Sequence, residues 1–325
     1  MRRREFITFL GAAASWPLAA RAQQPERPPR IGFLFPGPEA VAVGRNALLL
    51  EGLRSVGFDT PGQAILITRA TGGDPARLAP MVADLIASGI DVLVPLGPQT
   101  VRAARAVTST IPIVTFDLES DPVESGLLAS LARPGGNVTG VFLDFPNFST
   151  VWLQLLKEAV PGLAKLVVLW DPSTATVQTT AVAAAAKRIN VAIEVLQVEA
   201  AGDLGAVFEA ASGRHPDALL LLSSPIMSVF SKQMAELTLQ YRLPAISLFA
   251  NFARSGGLMA YGPDLDALYR KAGALVGKVL KGAHPADLAA ERPDRFELVL
   301  NVKTATALGL AIPNLLLARA DEVIE

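Results

Sequence analysis

The chain has 325 residues, is 51% hydrophobic and 18% charged, carries a net charge of -1 and contains no cysteine. That composition excludes a disulfide framework, thiolate metal sites, iron-sulfur clusters and a cysteine nucleophile. The two histidines, His215 and His284, lie far apart and are each followed by proline, so no paired-histidine metal motif exists and neither a metal nor another cofactor is expected.

The chain opens "MRRREFITFLGAAASWPLAARAQQ", in which a basic cluster precedes a short apolar run and the small-residue site Ala20-Arg21-Ala22. This is the layout of an export signal over residues 1–22. Arg3-Arg4 followed by Glu5-Phe6-Ile7 fits the twin-arginine form, and the same cluster also suits the general export route. The apolar run is too short to span a bilayer, so the expectation is a free periplasmic protein beginning near Gln23. Removing Arg2, Arg3, Arg4, Arg21 and Glu5 from 29 Lys+Arg and 30 Asp+Glu leaves 25 basic against 29 acidic residues. With no basic run, that balance argues against a nucleic-acid or membrane-surface partner.

After a Pro-rich leader, "IGFLF" at 31–35 is a continuous apolar run bounded by Pro-Gly-Pro, as expected of a strand buried on both faces. A helical stretch follows at 41–55. The alternation continues with "AILITRA" and a helix at 75–88, "DVLVPLG" and a helix at 98–108, "IPIVTFD" and a helix at 122–131, then "NVTGVFL". A second series begins at "LVVLWD" and runs through "VAIEVLQVE", "DALLLLS", "LPAISLF" and "GLMAYG", with helices predicted at 176–189, 203–211 and 228–241 and a short link before the last strand. Apolar strands alternating with helices predict parallel sheets with flanking helices. Two such series predict two Rossmann-like lobes.

The lobes echo one another, since "DVLVPLGP" matches "DALLLLSSP" and "IPIVTF" matches "LPAISLF". Beyond them, 264–282 reads as a helix, "FELVLN" as a strand and "VKTATALGLAIP" as a further helix. A helix returning to the first lobe would make three crossings between lobes. The predicted division is lobe 1 at 30–145 plus 262–295, and lobe 2 at 146–261 plus 296–325.

The motifs "DPVESGLLASLARPGGNVTG", "RLPAI", "SGGLMAYGPD", "KVLKG", "FELVLNVKTATALGL" and "LLARADEVIE" give the chain a resemblance that runs end to end. It resembles the ABC-transporter substrate-binding proteins of the tryptophan-binding-protein-like group. The resemblance implies a type I periplasmic binding protein: two α/β lobes on a three-segment hinge that capture a small solute and deliver it to an ABC permease in the inner membrane. A single shuttling copy, a monomer, suits that role. The sequence departs from the group's common patterns at "LGPQT", "WDPS" and "LFANFARSGG", which are ligand-facing positions, so the resemblance carries the fold further than the solute.

Ligands of open parallel sheets sit outside the strand carboxyl ends, and two such edges facing across a hinge enclose a solute. The candidate contacts are therefore Phe35 with Pro36, Gly97, Pro98 and Gln99, and the run 117–121 with Asp117 and Asp121 on the first lobe. On the second lobe they are Asp171, Ser223, Ser224, Phe249, Asn251 and Tyr261. Asp117 could pair with an ammonium, serines and glycines could hold a carboxylate, and Phe35, Phe249 and Tyr261 could stack on an apolar ligand, a set suited to an amino acid or aromatic compound. Asp121, before Pro122, reads also as a helix cap, Asp171-Pro172 as a turn, and Phe35 and Tyr261 as core edges. No GxSxG elbow, phosphate loop or dinucleotide fingerprint is present, so an enzyme, for instance a periplasmic hydrolase, is not expected. A ligand-binding subunit for a membrane sensor is the alternative to an importer component.

Overall fold

The computed structural model describes residues 27–60 and 62–325, and the expected export signal lies outside the described residues. Two sheets organise the molecule. In the first, β1 (Arg30–Phe35), β2 (Ile65–Ala70), β3 (Val92–Pro95), β4 (Ile113–Asp117) and β5 (Val138–Phe142) pair in parallel in the order β2-β1-β3-β4-β5. In the second, β6 (Lys165–Trp170), β7 (Ala192–Gln197), β8 (Ala218–Leu221), β9 (Ala245–Ser247) and β10 (Met259–Pro263) repeat that order as β7-β6-β8-β9-β10. Antiparallel β11 (Phe296–Asn301) and then β12 (Glu322–Ile324) extend this sheet beyond the repeated five strands. Central strands such as β3 and β8 are buried throughout because helices cover both faces, whereas the edge strands β2 and β7 are only partly buried.

The local echo between the lobes has a structural basis. The carboxylate of Asp91, just before β3, accepts the backbone N–H of Arg30 at 2.7 Å, and that of Asp217, just before β8, accepts the N–H groups of Ala164 and Lys165 at 2.8 Å. Each ties the start of a central strand to its neighbour. Glycine permits a close backbone approach in each sheet. A Cβ on Gly140 of β5 would lie 1.9 Å from the Thr115 carbonyl oxygen, and one on Gly262 of β10 would lie 1.9 Å from that of Leu248.

Two sequence expectations differ from the structure. Residues 122–131 form turns rather than a helix: Gly126 takes φ 69°, and Leu128 N–H bonds back to the Pro122 carbonyl at 2.8 Å. The left-handed glycine breaks the helical register. Between β9 and β10, where a link is predicted, Ala250–Arg254 makes a short helix.

The chain passes between the sheets three times: after β5 into the helix Phe145–Ala159, after β10 into the helix Leu265–Leu280, and through 281–295 into β11. The helix Leu265–Leu280 begins at an Asp264 cap on Ala267 N–H and buries Leu268, Ala272, Leu275, Val276 and Val279. It lies against the helix Glu39–Arg54, the first helix of the first sheet. The backbones touch, because a Cβ on Gly52 would meet the Arg270 carbonyl oxygen at 1.9 Å and one on Gly273 that of Leu49 at 2.0 Å. Arg45–Asp266 and Arg270–Glu51 ion pairs at 2.7 and 2.8 Å flank this contact.

Gly52→Ala should therefore force the two helices apart and cost about 1–3 kcal/mol of stability, several degrees of melting temperature. Gly44→Ala, on the same helix with nothing within 4 Å of the added carbon, should be neutral or raise stability by up to about 1 kcal/mol. Thermal melts of the two variants check this, and equal effects would refute the close packing.

Candidate functional site

The carboxyl ends of the two sheets face one another, and the loops leaving them enclose two adjoining cavities. The larger, about 170 Å³, is lined from the first sheet by 36–38 after β1, by Thr71, Gly72 and Gly73 after β2 and by 96–100 after β3. From the second sheet come Asp171, Thr174, Glu199 and the short helix Pro225–Val229. The smaller, about 60 Å³, is walled by Phe35, Phe116, Leu118, Phe249 and Tyr269, with Glu119, Ser224 and Ser228 among its polar groups. Pro36, Leu96, Gly97, Pro225 and Val229 border both, so the two form one cleft with a polar outer part and an aromatic inner part.

Why the loops take this form follows from their residues. Gly97 has φ 80°, a conformation that suits glycine, and ends β3 in a turn into the helix Pro98–Val107. A Cβ there would point at Glu119 Oε2, 3.6 Å away. After β4, Asp117 folds the loop by accepting the N–H groups of Glu119 and Ser120 at 2.9 and 3.1 Å, together with the Ser120 hydroxyl. That turn directs Glu119 into the cleft. Glu119 Oε1 accepts the Ser223 hydroxyl at 2.8 Å, a hydrogen bond between the two lobes, and Oε2 accepts only Leu118 N–H at 3.2 Å. Ser223 is itself held by the fully buried Gln178, which accepts its N–H at 3.0 Å and donates to its carbonyl at 2.9 Å. A second contact between lobes runs from Arg102 to the Ser173 carbonyl at 3.0 Å.

Burial shapes the electrostatics. Glu119 is only 6% exposed, and burial first, then the nearby charge of Asp117, hold its carboxyl well above the ordinary value of 4.5. Burial likewise raises Asp117, against the opposing pull of its Ser120 and Glu119 hydrogen bonds. The Tyr269 hydroxyl is also raised by burial.

Eight of the residues singled out from the sequence border the cleft or touch a residue that does. Phe35, Ser224 and Phe249 line the aromatic part, Pro98, Gln99 and Asp171 the polar part, Gly97 both, and Ser223 stands behind Glu119. Four do not line it. Both Asp117 oxygens are taken by its own turn, and the residue faces a separate groove with Arg102, Arg105 and Ser120. Asp121 caps the following turn through Val123 and Glu124 N–H at 2.8 and 2.9 Å. Asn251 is exposed on the short helix Ala250–Arg254. Tyr261 packs in a three-ring cluster with Phe148 and Phe296, centroids 5.1 and 6.0 Å away, while its carbonyl accepts the Trp152 indole N–H at 2.7 Å. Among lining residues outside the sequence expectation, Thr71 follows a strand end and was legible by the same rule. Tyr269, buried in the helix Leu265–Leu280 of the second crossing, carried no such signal.

Paired sheets of identical strand order joined by three crossings, with a cleft between their carboxyl edges, define a type I periplasmic binding protein. A model of the ABC transporter substrate binding protein family matches residues 45–324, and the chain belongs to that family. It is 27% identical over 243 residues to a tyrosine-binding protein of Clostridioides difficile, covering 71% of this chain and 68% of the relative. Among solved structures it resembles an ABC domain from Streptococcus pneumoniae in complex with L-Trp, with TM-score 0.84, 23% identity and coverage of 91% and 99% of the two chains. A 5-methylthioribose transporter solute-binding protein from Thermotoga lettingae, in complex with that sugar, superposes with TM-score 0.60 at 18% identity over 91% and 98%.

In the empty protein, a carboxyl raised by burial contributes stability that is complete below its unfolded value near 4.5 and is lost as pH rises through the folded value. Glu119→Gln should therefore gain melting temperature over the unmutated protein as pH goes from about 4.5 to 8. A difference between the two that stays constant with pH would contradict this reading of Glu119.

Proposed function

We propose that the chain is the exported, periplasmic solute-binding component of an ABC importer, which takes an amino acid or aromatic solute into the cleft and presents it to a membrane permease. Lobe 1 at 30–145 plus 262–295 and lobe 2 at 146–261 plus 296–325 are the two bodies that close on the solute, and the protein works as a monomer. The observation that carries this reading is the aromatic inner cavity, where Phe35, Phe116, Phe249 and Tyr269 meet polar groups from both lobes. Rings of that kind pack on a flat apolar body, while Glu119, Ser224 and the outer Thr71, Gln99 and Asp171 orient its polar end. The relatives named for tyrosine and L-Trp support the same class. Closure across the Glu119–Ser223 contact gives the permease a shape to distinguish loaded from empty protein.

A thermal-shift screen of the mature chain against amino acids, aromatic acids, sugars and small peptides tests this. Ligand at about a hundred times its dissociation constant adds roughly 2.7 kcal/mol and should raise the midpoint by several degrees. A shift with aromatic amino acids is expected. A shift with sugars alone would retain the binding fold and discard this solute class. Phe249→Ala should weaken binding about tenfold or more through lost aromatic contact, whereas Asn251→Ala should leave it unchanged, as titration calorimetry would show.

A further inference from the structure

The cleft has an unusual charge pattern. Its lining includes the carboxyls of Glu119, Asp171 and Glu199, and no lysine, arginine or histidine is among the described residues that border either cavity. The guanidinium groups nearest the lining are bonded to backbone carbonyls or carboxylates, and Arg77 Nη1 donates to the Thr71 carbonyl at 2.9 Å. Arg102 and Arg105 line the separate groove and donate to the Ser173 and Leu127 carbonyls. Arg45 stands over the Tyr269 ring at 5.2 Å from its centroid and pairs with Asp266.

Glu119 is the member of this set that is placed deepest. It is buried against the aromatic cavity, with Phe35, Leu96, Gly97 and Phe249 as its apolar surroundings and Ser223 and Ser224 facing it from the second lobe. The titratable groups around it are Asp117 on its own loop and Tyr269 on the helix Leu265–Leu280, and neither supplies positive charge. Its oxygens accept one hydroxyl and one backbone N–H, which leaves acceptor capacity unused, most of it on Oε2. A buried carboxyl without a counter-cation is costly to ionise, and a cation delivered by a ligand removes that cost.

We propose that Glu119 receives the ammonium group of the solute, so that the cleft selects amines with an apolar body over the corresponding acids. The inference rests on the solute-binding reading above and narrows it to one charge class. In the protein without ligand, burial keeps the proton on the Glu119 carboxyl to higher pH than on an ordinary carboxyl. When the ammonium docks, the carboxyl O–H bond breaks, the proton leaves to solvent, and the carboxylate pairs with the ligand cation. Capture of the amine is thereby coupled to release of up to one proton. Affinity for amines rises with pH, by up to tenfold per unit, until Glu119 is already ionised in the empty protein. An acid lacking the amine brings charge of the same sign to Glu119 and gains nothing from the pairing.

Isothermal titration calorimetry of the mature protein, in buffers of different ionisation enthalpy from pH 5 to 8, tests this with L-tyrosine and L-tryptophan against 3-(4-hydroxyphenyl)propionate and indole-3-propionate. The amines should bind at least tenfold more tightly than the acids and release protons in the unmutated protein. Glu119→Gln, which keeps a Ser223 partner and whose fold is checked by its melt, should abolish the proton release and weaken amine binding about tenfold at pH 8. Acids binding as tightly as amines, or amine binding with no proton release, would overturn the assignment of Glu119 while leaving the solute-binding reading intact. Failure of all four probes to bind would overturn both the assignment and the aromatic solute class.

Discussion

The two halves of the molecule meet at a carboxyl group. Glu119 reaches from the end of β4 to the Ser223 hydroxyl beyond β8, and the rest of the site is arranged to let it do so. Asp117 spends both oxygens turning the loop, Gly97 leaves room beside Oε2, and Gln178 fixes the backbone that carries Ser223. Burying an ionisable group at such a contact works against stability unless something in the cleft answers its charge. The cost falls in the cleft between the sheets, where unmet polarity is expected of a functional site.

Around that contact stands a frame used twice. Five strands in one order recur in both sheets, with Asp91 and Asp217 anchoring equivalent strand starts. The second copy has grown by β11 and β12, and its β10 is packed by the Phe148–Tyr261–Phe296 cluster, a feature the first copy does not share. The two edges therefore match in geometry and differ in chemistry. One contributes the carboxyl and most of the polar turns, and the other contributes the serines and Phe249.

Much of this was legible in the sequence because buried parallel strands are continuous apolar runs, and because a strand's carboxyl end marks where a ligand can sit. Phe35, Gly97 and Ser224 followed from that rule alone. The rule failed where side-chain direction decides. Asp117 and Glu119 stand two residues apart in the same run, and only the turn built by the former shows that the latter enters the cleft. Tyr261 lies at a strand end too, yet its ring is claimed by Phe148 and Phe296, partners 113 and 35 positions away in sequence that no local pattern connects. The failed helix at 122–131 is of another kind: its apolar spacing is helical, and a single left-handed glycine overrides it.

The contact of Gly52 with the backbone of Arg270 carries a consequence for how the chain is made. The helix Glu39–Arg54 belongs to the first element pair to be synthesised, and the helix that closes its outer face arrives more than two hundred residues later. The first sheet cannot complete its core while the nascent chain is short. Its apolar surface stays open until residues 265–280 have emerged, so a sheet whose strands come early in the sequence completes its core only late in synthesis.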